Sequence, residues 1–256
     1  MTIFLISKWK EWQLASSFLT RLPVADIDGE LPPLNRCFWA FPVLGMVIGS
    51  VVYAIFSGLF IIGFPALIAS FLAIGAGVLL TGGLHEDGCA DMFDGLGGGH
   101  DRHTKLAIMK DSHLGSYAVI GLIIVIAIKA VSLGSLTPTI PDFISVMVLA
   151  GASRFFMVSA LSLMPPARED GLGHQFASKI DGQRVNQLLP PLLIILTVSF
   201  FAPSYVLAVI FMMGMTAMAV GWLAYRQIGG QTGDICGAIQ LISETAGLAV
   251  LVVLAG

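Results

Sequence analysis

FPALIASFLAIGAGVLLTGGLHEDGCADMFDGLGGG, residues 64–99, joins an uncharged apolar run to the most acidic stretch of the chain. No residue from Phe64 to Leu80 is charged, yet Glu86, Asp87, Asp91 and Asp94 follow within nine residues, in a protein that is only 11% charged. If the helix of the apolar run continues, each residue advances by about 100° around its axis. Asp87, Asp91 and Asp94 are then i, i+4 and i+7 and fall within roughly 60° of one another. Three like charges on one face repel, and no basic side chain stands among them. A divalent cation would neutralise such a face, and a donor set of oxygens alone suits Mg²⁺ or Mn²⁺. Glu86 adjoins the face as a fourth candidate ligand, and the small residues Gly88, Ala90 and Gly95 separate the carboxylates. The plainer role, a solvated acidic helix end, requires no ligand.

Working outward, the 256-residue chain is 56% hydrophobic, with a mean hydropathy of +0.89. Soluble domains carry charge on about a quarter of their residues, so this is an integral membrane protein. The net charge of −3 is uninformative, and no basic patch suggests nucleic acid as a partner. Cys37, Cys89 and Cys236 are far apart and form no CxxC, which indicates neither a disulfide framework nor a zinc ribbon. The N-terminus, MTIFLISKWKEWQLASSFLTRLPV, lacks the order of a signal peptide. Its Trp9, Trp12, Leu14, Phe18 and Leu19 predict instead an amphipathic helix lying in the membrane interface.

After the polar segment 26–33, apolar stretches predict spans near 40–62, 64–83, 114–133, 142–163, 188–202, 204–224 and 237–255, each close to the ~20 residues a bilayer requires. The fifth is short and interrupted by Pro190 and Pro191. Gly45 and Gly49 form a GxxxG that allows close helix packing. The expectation is an all-α, polytopic helical membrane protein of about seven transmembrane helices, one domain over residues 1–256. With the N-terminus inside, eleven of the thirteen Lys and Arg fall on the cytoplasmic side, and the opposite loops contain none. Lys129 and Arg154 lie within spans. Lys129, near an outer end, is expected to snorkel. Arg154 should face the bundle interior, with Glu244 its candidate partner.

The cytoplasmic side also collects the remaining polar chemistry. Arg102, Lys105 and Lys110 precede Asp111, a carboxylate placed to turn back towards the acidic face. Ala167–His174, Lys179–Arg184 and Gly229–Asp234 are glycine-rich loops of mixed charge, whose amides and basic side chains suit phosphate oxygens. Gly95–Gly99 is neither a Walker A loop nor a Rossmann fingerprint, since neither context surrounds it. His85 and Cys89 point roughly opposite to the three aspartates on a helical wheel, so they do not extend that site.

The run Thr81–Gly95 closely resembles the signature of the bacterial cobalamin synthase (adenosylcobinamide-GDP ribazoletransferase) family. So do Thr20–Pro23, Met109–Gly115, Ala167–Gly173 and Gly229–Asp234, in the family's order along nearly the whole chain. Cys89 stands where the family usually has Leu, and His113 where Arg is frequent. The resemblance implies an enzyme of the bacterial cytoplasmic membrane, its site facing the cytosol, that requires Mg²⁺. It joins adenosylcobinamide-GDP to α-ribazole, or to its 5′-phosphate, and releases GMP. Carried onto this sequence, it implies metal at Asp87, Asp91, Asp94 and Glu86, a proton acceptor at Asp94 or Asp111, and substrate phosphates at Arg21, Lys110, Arg168 and Asp234. The lipid bilayer is a further expected partner, and oligomeric state is left open. Two rival readings are a CDP-alcohol phosphotransferase, whose motif has Arg where Asp91 stands, and an ion-coupled transporter, which would place its charges mid-membrane in paired halves.

Overall fold

The computed structural model describes residues 2–24, 29–169 and 184–255. Among these the chain is helical, and its only β-type pairing is an isolated bridge between Pro166 and Gln231. Helix α1, Thr2–Leu19, is followed by a 3₁₀ turn, Leu34–Cys37, and by α2, Ala40–Ile61. Next come α3, Ala66–Thr81, α4, Leu84–Gly98, the short α5, Arg102–Ile108, and α6, Ser116–Gly134. Then α7, Ile140–Leu163, α8, Arg184–Ser199, α9, Val206–Ile228, and α10, Gly233–Ala255, complete the bundle.

Five helices, α2, α6, α7, α9 and α10, are each long and apolar enough to cross a membrane, and α3 with α4 makes a sixth unit bent by 94°. The chain is thus a polytopic helical membrane protein, as its composition requires. Helix α8 has 16 residues, a rise of about 24 Å. The residues after α7, the end of α9 and the start of α10 meet at one face, tied by Ala167 N–H to Gln231 O and Gln231 N–H to Pro165 O, both 2.8 Å. The ends of α7 and α9 and the start of α10 thus lie together at one face of the bundle.

The bend between α3 and α4 departs from the expected continuous helix. Gly82 and Gly83 both take left-handed φ, +69° and +71°. That conformation closes α3 through amide bonds from Gly82 to Leu79 and from Gly83 to Val78, and Gly83 O then accepts from Asp87 N–H to start α4. The i, i+4, i+7 register of the aspartates survives because all three lie within α4. What changes is direction: the acidic helix turns across the bundle end instead of extending the span.

Helix α1 also differs from expectation. Its buried side includes Glu11, Gln13, Ala15, Ser16 and Leu19, while Trp9 is 61% exposed and so does not share a face with Leu19. Glu11 accepts from Trp39 Nε1–H at 2.7 Å and pairs with Lys8 at 2.7 Å, and Trp12 packs on Trp39. The helix docks on the protein through these contacts. Its end reaches the elbow, where Arg21 N–H donates to Leu80 O at 2.7 Å.

The core is two apolar clusters. One gathers Leu19, Phe38, Phe41, Cys89, Met92, Met157 and Ile239 near the α4 end. The other gathers Tyr53, Phe56, Leu133, Leu149, Met213 and Leu251 near the opposite end. The GxxxG serves the seam between α2 and α7, since a Cβ on Gly45 would lie 2.5 Å from Ala150 O and one on Gly49 2.5 Å from Ala150 Cβ. Between the clusters lies a layer of charge. Glu244 takes Lys129 at 2.7 Å on one oxygen and Arg154 on the other, with Ser153 and Gln240 donating to it as well. Arg154 and Glu244 are partners as expected; Lys129 turns inward instead of snorkelling, because a carboxylate in low dielectric attracts it more strongly than distant water.

Candidate active site

Helix α4 sets its aspartates at three depths: Asp87 exposed, Asp91 half-buried and Asp94 buried. Gly88 lets this face close on the start of α10, for a Cβ there would lie 3.0 Å from both Cα and O of Asp234. Asp91 consequently feels Asp234 as well as Asp87, with Arg168 the opposing charge. Burial first, and then those two carboxylates, push the Asp91 carboxyl from its ordinary 3.8 up to about 7. The sign for stability follows. The folded chain keeps this proton to about pH 7, whereas the unfolded chain loses it near 3.8, so raising the pH through this window disfavours the fold. In EDTA, the thermal midpoint should fall between pH 5 and pH 8, and Asp91→Asn should flatten that slope; an unchanged slope in the variant would assign the effect elsewhere.

Arg168 and Asp234 are positioned by the bridge between the 165–167 and 230–231 segments. Their ion pair is 3.5 Å long, and Asp234 also accepts from Thr232 Oγ1–H at 3.1 Å. Arg168 donates to Leu106 O at 3.3 Å, while its buried Nε has no partner among the described residues. Asp234, expected to bind phosphate, therefore also borders the carboxylates of α4. Among the described residues, Asp87, Asp91 and Asp234 thus set three carboxylates around the Arg168 guanidinium.

Among the described residues, no three of His, Cys, Asp and Glu form a ready-made metal cage. Mg²⁺ does not call for one: it retains water and takes one or two carboxylates together with substrate phosphates. An under-neutralised, oxygen-only face fits that habit, and fits Mn²⁺ similarly.

The other expected site residues are dispersed around this face. Asp94 Oδ2 accepts from Gly115 N–H at 2.5 Å and its Oδ1 from Ala118 N–H at 2.9 Å, so both oxygens cap the start of α6. Gly115 is required there, since a Cβ would fall 2.6 Å from Asp94 Oδ1. Glu86 turns one oxygen, Oε2, into the interior, where it has no partner among the described residues. Arg21 lies over Gly82 and lines, with Thr20, Gly83, Glu86 and Asp87, an open cavity of about 600 Å³. Lys110 is exposed after α5. Exposed Asp111 accepts from His113 N–H at 3.1 Å and pairs with His113 Nδ1 at 2.5 Å, which lowers its own pKa and raises that of the imidazole. His85 and Cys89 are buried on the side of α4 away from this cavity. Residues 170–183, which include His174 and Lys179, lie outside the described residues.

The order of these segments can now be compared with known proteins. Residues 11–252 match the family described as cobalamin-5-phosphate synthase. The chain belongs to that family. An adenosylcobinamide-GDP ribazoletransferase of Bradyrhizobium diazoefficiens is 37% identical over 91% of this chain and 89% of its own length. A protein of the same name from Azorhizobium caulinodans is 38% identical over 91% of each chain, and one from Rhizobium meliloti 34% over 95% of this chain and 96% of its own. No solved structure gives a significant match.

Within this member of the cobalamin-5-phosphate synthase family, the partners of two groups escaped sequence reasoning. Arg102 donates from Nε to Ile228 O at 2.7 Å and from Nη2 to Ala167 O at 2.8 Å, bracing the end of α9 and the residue before Arg168. Lys105, one turn on, bonds Gln227. The sequence offered only positive charge near a short helix, and charge alone does not reveal which carbonyl it will meet. Asp94 is the second, for its capping partners lie 21 and 24 residues downstream.

Proposed function

We propose that this chain joins adenosylcobinamide-GDP to α-ribazole, or to its 5′-phosphate, with release of GMP, at the cytoplasmic face of the bacterial inner membrane and with Mg²⁺. The family match along residues 11–252 carries this reading, and makes the chain a transferase of cobalamin biosynthesis. The acidic face of α4 beside a 600 Å³ cavity supplies chemistry that suits it. Asp87 and Asp91, with Asp234 at their side, would hold the metal, which when bound supplies charge neutralisation for pyrophosphate oxygens and the departing GMP. Arg168, whose buried Nε has no partner among the described residues, and Arg21, at the cavity rim, orient phosphate oxygens through charge-assisted hydrogen bonds.

In the transfer, a ribose hydroxyl oxygen of the acceptor forms a bond to the cobinamide-side phosphorus. The bond from that phosphorus to the bridging oxygen breaks, and GMP leaves with the electron pair. The hydroxyl proton needs an acceptor. With both Asp94 oxygens engaged by amides, exposed Asp111 is assigned this role: His113 bonds its Oδ1 only, and that bond provides an onward route. Arg102 and Asp94 serve by holding Arg168 and the α4–α6 junction in place.

The test incubates the purified protein and Mg²⁺ with adenosylcobinamide-GDP plus α-ribazole, and separately with a CDP-activated lipid plus an alcohol. GMP should appear only in the first mixture and only when α-ribazole is present. CMP from the second mixture with no GMP from the first would overturn the reading.

A further inference from the structure

Of the six buried side-chain polar atoms that lack a partner among the described residues, four belong to residues lining one small enclosed cavity: His85 Nδ1 and Nε2, Glu86 Oε2 and Arg154 Nε. The cavity measures about 40 Å³ and also meets Lys129, Gln240 and Glu244. It sits within the charge layer between the two apolar clusters, where α4 packs against α6 and α10 and α7 contributes Arg154. A water needs about 10–15 Å³ of such space and two to four polar partners, so there is room for two or three. A neutral imidazole offers one donor and one acceptor. Water can therefore satisfy both ring nitrogens while also donating to a carboxylate and accepting from a guanidinium.

The charges around the cavity give a second argument. Lys129 and Arg154 are both paired to the single carboxylate of Glu244, which leaves one positive charge uncompensated in a buried layer. The remaining ionisable anion in the wall is Glu86. Counted together, two cations and two carboxylates balance. An uncompensated buried charge is strongly destabilising, so the balance is a physical requirement on this layer.

We propose that this cavity is a hydrated site in which bound water joins Glu86 to His85 and Arg154, making Glu86 the second anion of a buried four-charge network. The network ties the acidic helix to the interior of the bundle. One Glu86 oxygen is thereby committed inward, while the residue's other side still borders the open cavity with Asp87. This inference concerns the fold's interior and stands apart from the identity of the substrate.

The test is a double-mutant cycle on thermal midpoint in detergent, with wild type, Glu86→Gln, Lys129→Met and the double variant. Each single change leaves one unbalanced buried charge and should lower the midpoint by about 5 °C or more. The double variant restores balance and should lie above both singles. If the two losses simply add, so that the double variant is the least stable, Glu86 is not a member of the network. Recovery of expression in the double variant alone, should the singles not fold, would support it equally. The wild type provides a reading that needs no variant. A structure at about 2 Å resolution should show water density in contact with His85 and Glu86, and a dry cavity would overturn the proposal.

Discussion

Asp91→Asn should lower the rate of GMP release by on the order of 10²–10³-fold or more, comparable to losing a principal charge-stabilising group in other enzymes, while the protein remains folded. The amide keeps the volume of the carboxylate and removes only its charge and its ability to bind metal. Because Asp91 stands among Asp87 and Asp234, the substitution also removes repulsion, so the midpoint in EDTA at pH 8 should rise. Loss of turnover combined with gain of stability is the signature of a residue that works at the expense of the fold. A buried residue of α4 that only packs should behave otherwise. Cys89→Ala, at a site with no exposure, should cost some stability and little activity. Parallel measurement of GMP release at saturating Mg²⁺ and of thermal midpoint separates the two, and near wild-type turnover in Asp91→Asn would remove this helix from the chemistry.

Sequence periodicity made this face legible because Asp87 and Asp91 are local: their spacing of four decides their register on any helix, whichever way that helix points. The same argument could not find the elbow at Gly82–Gly83. A glycine pair permits a left-handed turn without requiring one, and the 94° bend lies where a segment distant in sequence docks, Arg21 N–H on Leu80 O. Nor could it give the depth of Asp94. At i+7 from Asp87 that residue is on the same side of α4, but its depth places it against the start of α6, and the amides there take both of its oxygens. Asp234 shows the converse. Placed in a phosphate-binding loop from composition, it enters the electrostatics of Asp91 only because Gly88 admits the start of α10 to within contact. Polarity mid-span was a stronger signal. Arg154 and Glu244 are each costly in lipid, and two opposite charges in one bundle leave few other partners. Lys129 was missed because its position near a helix end allowed snorkelling, and only packing shows that a carboxylate lies closer than water.

Glu244→Gln should be the most destabilising single substitution in the chain, costing about 3–5 kcal/mol by the behaviour of buried pairs from which one partner is removed. Glu244 alone accepts from Lys129, Arg154, Ser153 and Gln240. The amide retains the shape but leaves both cations facing a neutral group, and its NH₂ presents donors to donors. Helices α6, α7 and α10 carry Lys129, Arg154 and Glu244 respectively, so the failure would spread through the bundle. The variant should be recovered in much lower yield, or with a sharply reduced thermal midpoint, and a midpoint within about 2 °C of wild type would show the layer to be wet enough to screen its charges. Removing the pair altogether tests the same logic from the other side. A variant with Lys129→Met, Arg154→Met, Glu244→Leu and Glu86→Gln carries none of the four charges and should be more stable than Glu244→Gln alone, since apolar replacement of a whole buried network is often neutral or favourable. Its turnover would then measure what the network contributes beyond stability: if α4 is held correctly by packing through Gly88 and Asp94 alone, activity persists, and if the charge layer fixes its depth, activity falls while the fold remains intact.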